Sequence, residues 1–102
     1  GRSKGNRYLV VYAFPRGEGD EPRLGVSVSR RVGGAVERNR VKRLLREAFW
    51  AQAEELPADH DFVLVARPDA KELAEREGEA GIARQLRELV ETGGFANGGE
   101  AG

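Results

Sequence analysis

Cysteine is absent from the 102 residues, so neither a disulfide nor a thiolate metal site can be built, and the chain suits a reducing cytosol. No apolar run approaches the roughly 20 residues that a membrane-spanning helix needs, and no signal-peptide core is present. Histidine occurs once, as His60 between Asp59 and Asp61. Consecutive residues rarely aim all three side chains at one point, so this triplet reads as a surface loop and not as a metal site. No second element supports a Ser-His or Cys-His pairing. Gly33 and Gly34 precede a helix and could offer free backbone N–H groups to a phosphate, yet no GxxxxGK[ST] pattern accompanies them. A free-standing enzyme is poorly supported. A protein-only nuclease would need clustered carboxylates to hold metal ions, and only Asp59 and Asp61 form a close acidic pair near a strand start. Net charge is also lacking, with 17 basic and 17 acidic residues.

That neutrality hides an asymmetry. Residues 1–29 carry five basic and three acidic side chains, residues 30–53 seven and two, and residues 54–102 five and twelve. Beyond about 8–10 Å salt screens exposed charges, so the local field decides, not the total. The basic stretch is Arg30, Arg31, Arg38, Arg40, Lys42, Arg43 and Arg46. At roughly 100° per residue, residues 33–50 divide into two faces. Val41, Leu44, Leu45, Ala48 and Phe49 form an apolar arc that must seek a core. Arg38, Asn39, Lys42, Arg43 and Arg46 form the neighbouring arc, with Arg40 apart near the far apolar edge. Glu37 and Glu47 lie outside the basic arc. Like charges at this spacing repel by a few tenths of a kcal/mol per roughly i,i+4 pair, a cost that points to a polyanionic partner and not to a merely solvated face. Arginine forks suit bidentate phosphate contact, and Asn39 can meet a base edge or a sugar hydroxyl.

The rest of the chain reads as one small α/β domain with a single modest core. Residues 1–6 are polar and expected to fray. Residues 7–14 (RYLVVYAF) form a strand, with Tyr8, Val10, Tyr12 and Phe14 on one face and Leu9, Val11 and Ala13 on the other. Residues 15–22 are a Gly- and Pro-rich loop. Residues 23–29 (RLGVSVS) form a second strand, with Leu24, Val26 and Val28 inward, and the spacing suggests an antiparallel hairpin with the first. Gly34 is the N-cap of a helix over about 35–54. Residues 61–66 form a short buried strand. Asp69 caps a further helical stretch, with Glu72 placed as in a capping box. Gly78 and Gly81 interrupt it, and a last helix with Ile82, Leu86, Leu89 and Val90 inward ends near Gly93. Residues 1–92 are thus one domain, and the Gly-rich 93–102 a disordered tail. The strand aromatics Tyr8, Tyr12 and Phe14 fit ordinary packing under a helix, or stacking with unpaired bases at ~1–3 kcal/mol each.

The run SVSRRVGGAVERNRVKRLLREAF closely resembles the signature of the bacterial ribonuclease P protein subunit, most specifically around Arg38-Asn39-Arg40. RYLVVY, RLGVSVS and FVLVARP match that family in order and spacing, over about residues 1–92. The resemblance implies an α+β sandwich, with a small mixed sheet packed with helices. It also implies a left-handed β-α-β crossover through the basic helix, against the ~98% right-handed rule. It further implies a cytoplasmic RNA-binding subunit of a ribonucleoprotein hydrolase, an endonuclease that removes the 5′ leader in tRNA processing. Its catalytic groups would lie on the RNA subunit, with Mg²⁺ bound mainly by that RNA and the substrate, and none on this chain. Carried over by position, Arg30, Arg31, Arg38, Asn39, Arg40, Lys42, Arg43 and Arg46 would face the catalytic RNA. Tyr8, Tyr12 and Phe14 would line the cleft for the precursor-tRNA leader. The family usually has a helix covering that cleft before the position of Gly1, Asn where Gly34 stands, and a strongly basic charge. Without that helix the aromatic face is expected to be covered by a second copy, through self-association, or by the chain's own C-terminal segment. A general RNA-binding module or RNA chaperone would share the basic helix without a dedicated catalytic RNA.

Overall fold

Alternation along one strand sets the layers. The computed structural model describes residues 1–96. In strand β2 (Leu9–Pro15), Leu9, Val11 and Ala13 are buried, while Tyr12 and Phe14 face solvent. Strand β4 (His60–Ala66) repeats the pattern with Phe62, Leu64 and Ala66 inward. Strand β3 (Arg23–Val28) turns Leu24, Val26 and Val28 to the same side, as its alternation predicts. With β1 (Arg2–Gly5) these make one sheet in the order β1-β2-β4-β3. Helices α1 (Ala35–Ala51) and α2 (Asp69–Thr92) close its buried face. Val41, Leu44, Leu45, Ala48 and Phe49 of α1 enter the core, as do Leu73, Ile82, Leu86, Leu89 and Val90 of α2. The result is the expected α+β sandwich with a mixed sheet. Among the described residues, no helix is long and apolar enough to cross a membrane.

The expected hairpin does not form. β4 inserts between β2 and β3, antiparallel to the first and parallel to the second, so that Leu64 faces Val11 on one side and Val26 on the other. β4 carries apolar residues on both faces, with Val63 and Val65 half-buried, and therefore suits a central position. β3 shows Arg23, Gly25 and Ser27 to solvent and suits an edge. Parallel pairing of β3 with β4 needs a long connection, and α1 is that connection.

The N-terminal residues are not frayed. β1 pairs with β2 from Arg2↔Ala13 to Gly5↔Val10. All four of its residues are exposed, and the polarity that suggested disorder is that of an edge strand. Asn6 then turns the chain, its Oδ1 accepting from the N–H groups of Tyr8 and Leu9 at 2.8 and 3.0 Å. Helix α1 stops at Ala51, short of the expected 54, and a 3-10 turn (Ala53–Glu55) follows.

Further corrections concern the C-terminal half. Asp69 is not an N-cap. Pro68 holds that position without a side-chain bond, and the Asp69 carboxylate instead accepts from Nε and Nη2 of Arg7 at 3.1 and 3.0 Å. Glu72 pairs with Arg76 at 2.9 Å. Gly78 does interrupt the helical run of α2, as expected, with two stretches meeting at a kink there (φ 62°, ψ −147°), a conformation that only glycine adopts freely. Gly81 lies inside the helix, where an added Cβ would come within 2.5 Å of the Glu77 Cβ. Glu77 bridges the kink, contacting Arg76 on one side and Arg84 on the other. The Arg84 hydrogen bond holds its carboxyl below the usual range.

The tail expected from Gly93 is packed as far as it is described. Phe95 is buried, edge-on to Phe62 with centroids 6.5 Å apart, and the Arg2 guanidinium lies 5.0 Å from its ring centre. This segment seals the core face and so does not cover Tyr12 and Phe14. Residues 97–102 of the expected tail lie outside the described residues.

Candidate nucleic-acid interface

The entry to α1 is built to project cations. Val32 is buried and pins the turn, which closes with Val32 N–H to Ser29 O at 3.1 Å and Gly33 N–H to Arg30 O at 3.2 Å. Arg30 and Arg31 are left exposed. A side chain at Gly33 would place Cβ 2.9 Å from the Glu37 Cβ, so the turn requires glycine there. Gly34 is the N-cap, and its N–H donates to Glu37 Oε1 at 2.8 Å. Glu37 thereby supplies the capping contact that a glycine side chain cannot, and its charge is spent at the helix end.

The apolar arc of α1 fixes the rotation of the helix, and the basic arc follows. Asn39, Arg43 and Arg46 are exposed, while Arg38 and Lys42 are half-buried beside them. Seven ion pairs occur among the described residues, and none uses Arg30, Arg31, Arg38, Arg40, Lys42, Arg43 or Arg46. The acids that do pair are matched with Arg7, Arg16, His60, Arg76, Arg84 and Arg87. The neutral sum therefore conceals two zones, a net-acidic one in which several acids are paired with local cations and one of positive charge without ion-pair partners among the described residues. No acid of α2 lies within ion-pair distance of an α1 cation.

Two members of the Arg-Asn-Arg run have distinct settings. Arg38 Nε is buried and has no hydrogen-bond partner among the described residues. An unsatisfied buried donor costs ~1–3 kcal/mol, which is a reason to seek a functional explanation for the residue. Arg40 is exposed but sends Nη2 to Ala74 O of α2 at 3.2 Å, so it also ties the two helices together.

Tyr12 and Phe14 stand side by side on the open sheet face, rings 6.4 Å apart and 3° from parallel. They are 37% and 43% exposed, so packing under a helix does not account for them. Val10, Val63 and Val65 flank them half-buried. Tyr8 does not join this group. The turn at Asn6 precedes β2, so strand alternation does not extend back to Tyr8. Its ring packs partly against the core, beneath the Arg7 guanidinium at 5.3 Å. Arg76 of α2 lies on the same side, its pKa raised first by its bond to Glu72 and next by the nearby Tyr8 hydroxyl. The contiguous apolar patch expected from four side chains is thus narrower, centred on two rings. The basic arc and the aromatic pair lie on different sides of the molecule, since α1 covers the buried face of the sheet.

The Asp-His-Asp triplet is engaged in structure. Asp59 Oδ1 lies 2.8 Å from His60 Nδ1, and Asp61 Oδ1 lies 2.7 Å from Arg16 Nη1. Arg16, with its side chain only 13% exposed, also donates to the carbonyls of His60, Glu21 and Ala58. It fastens the 15–22 loop to the start of β4. Arg16→Ala strips several acceptors of their donor, and a loss of about 1–3 kcal/mol in a urea melt is expected. An unchanged midpoint would show the loop to be indifferent to this clamp. Among the described residues no group of three or more His, Cys, Asp or Glu side chains could hold a metal ion.

One aromatic was missed from sequence. Trp50 is 48% exposed, and the same helical periodicity that defines the basic arc places it between Asn39 and Arg43. An aromatic on a polar arc was the available signal.

Comparison with known proteins agrees with this geometry. A family profile described as Ribonuclease P matches residues 1–92. The ribonuclease P protein component of Bacillus pumilus is 39% identical over 87 residues, covering 85% of this chain and 73% of that protein. That of Geobacillus kaustophilus is 37% identical over 100 residues, covering 98% and 80%. Among solved structures, the Staphylococcus aureus RNase P protein superposes with a TM-score of 0.78 at 35% identity, over 90% of this chain and 80% of that one. The Thermotoga maritima protein gives 0.78 at 35% identity, over 87% and 80%. With its sheet order, its basic helix and these relatives in agreement, the chain belongs to the ribonuclease P protein family, as a protein subunit of an endoribonuclease that processes tRNA.

Proposed function

We propose that α1 seats this chain on the catalytic RNA of ribonuclease P, and that the Tyr12–Phe14 face holds the single-stranded 5′ leader of precursor tRNA during its removal. The observation that carries this reading is that, among the described residues, none pairs ionically with the seven cations in and before α1. Arg30, Arg31, Arg38, Lys42, Arg43 and Arg46 meet phosphates, and Asn39 meets a base edge or sugar hydroxyl. Arg40 reaches the RNA while holding α2. Parallel rings at Tyr12 and Phe14 offer two platforms for successive unpaired bases, with a sequence tolerance that suits variable leaders. Tyr8, placed beside α2, supports the fold and not the leader.

The family's chemistry calls for Mg²⁺. The described residues do not fit a protein cage for it, since no three ligating side chains come together among them and Asp59 and Asp61 are engaged by His60 and Arg16. The ion belongs to the RNA and the substrate in this reading. The chain's own part is to bind, orient and neutralise phosphate charge that Mg²⁺ would otherwise have to screen. Adding the chain to a bacterial ribonuclease P RNA is therefore expected to restore precursor-tRNA cleavage at low Mg²⁺. A chain that leaves the Mg²⁺ requirement unchanged would sink the proposal. Equal stimulation of an unrelated ribozyme would reduce it to general RNA chaperoning.

A further inference from the structure

The family motif makes no use of Trp50, yet it is the large aromatic that α1 leaves most open after its basic arc is defined. It stands one turn beyond Arg46 and two beyond Arg43, on the same side of the helix. Its ring is steadied edge-on against buried Phe49, centroids 5.0 Å apart at 90°. Beside it opens a groove of about 400 Å³, lined by Pro22 and Leu56 as apolar walls and by Asp20, Glu21 and Glu54. None of these three carboxylates is in an ion pair among the described residues.

We propose that this groove receives one unpaired nucleobase of the RNA bound by α1, stacked on Trp50 with its N–H edge toward the carboxylates. The proposal rests on the RNA-docking reading above and adds a site to it. An apolar wall beside acids repels phosphate and leaves phosphates on the arginine stripe. A base satisfies both parts, because it has an uncharged aromatic face and an edge of hydrogen-bond donors. Carboxylates accept from the exocyclic amino group of cytosine, and adenine and guanine carry amino groups as well. Uracil has none, so amino-bearing bases are favoured over it. Trp50, which lines the groove, follows Arg46 by one turn of the helix, so a single strand can lay its backbone along Arg43 and Arg46 and turn one base inward.

Trp50 is the sole tryptophan, so its fluorescence reports the groove alone. Titrating a ribonuclease P RNA transcript into the full chain is expected to quench it, and a cytidine pentanucleotide is expected to quench at lower concentration than a uridine one. Trp50→Ala should bind the transcript about 10-fold more weakly with an unchanged salt slope, and Trp50→Phe should recover most of the loss. Arg43→Ala should lower the slope as well as the affinity. If Trp50→Ala binds like the parent chain while Arg43→Ala is impaired, the base site is wrong and the docking surface stands. If neither variant is impaired, the docking reading falls with it. Quenching by an oligoarginine peptide but not by RNA would assign the groove to a cationic protein segment and overturn the proposal.

Discussion

A chain carrying Arg38→Ala, Arg43→Ala and Arg46→Ala together is expected to bind ribonuclease P RNA about 10²-fold more weakly near physiological salt. Each phosphate contact contributes about 0.7–0.9 to the slope of log affinity against log salt, so the slope should fall by about 2–3. Stability should barely move. Among the described residues none of the three guanidinium groups makes an ion pair, and the buried Nε of Arg38 has no hydrogen bond there to lose. Arg43 and Arg46 are exposed, and such substitutions usually stay within about 0.5 kcal/mol each. Arg40→Ala is the contrasting control, because it also removes the bond to Ala74 O and should lower the melting temperature along with affinity. Filter binding across a salt series, beside thermal melts, separates the two. A triple variant with parental affinity and slope would show that the uncompensated charge serves something other than this RNA.

How much of this was legible beforehand depends on range. The rotation of α1 followed from five apolar residues at helical spacing, and all five are buried. The inward sets of β2 and β3 followed from period two. Strand pairing did not, because β4 lies more than thirty residues after β3 and nothing local in RLGVSVS says which neighbour it will take. β1 was hidden because an edge strand exposed on both faces needs no apolar pattern. Tyr8 falls outside the alternation for a related reason: period two holds only within a strand, and the turn at Asn6, whose side chain also donates to Gln85 79 positions away, delays the start of β2 to Leu9. Phe95 looked like part of a glycine-rich tail, and only its contact with Phe62 shows otherwise. The zero sum was read correctly as two zones, but their separation rests on partners such as Arg16–Asp61 and Arg87–Glu55, which bring together residues far apart in sequence.

Phe62 is where these long-range contacts converge, and Phe62→Ala is expected to cost about 3–5 kcal/mol. Its ring sits 5.5 Å from Phe49 of α1 and 6.5 Å from Phe95, on the strand that is central to the sheet. The side chain is 1% exposed, so truncation opens a cavity bounded by the helix, the sheet and the C-terminal segment at once. For a domain of this length each kcal/mol lowers the melting temperature by roughly 4–8 °C, and a typical total stability is only about 5–15 kcal/mol. A fall of at least about 12 °C should therefore be seen by circular dichroism, and a fall below 3 °C would show that the three elements are not joined through this ring. The damage should also reach RNA binding, since Phe49 sets the rotation of α1 and so the aim of its basic arc. RNA that binds the folded chain alone stabilises it by mass action. Added ribonuclease P RNA should accordingly raise the melting temperature of Phe62→Ala, whose cations are intact, and do much less for the triple arginine variant, whose core is intact.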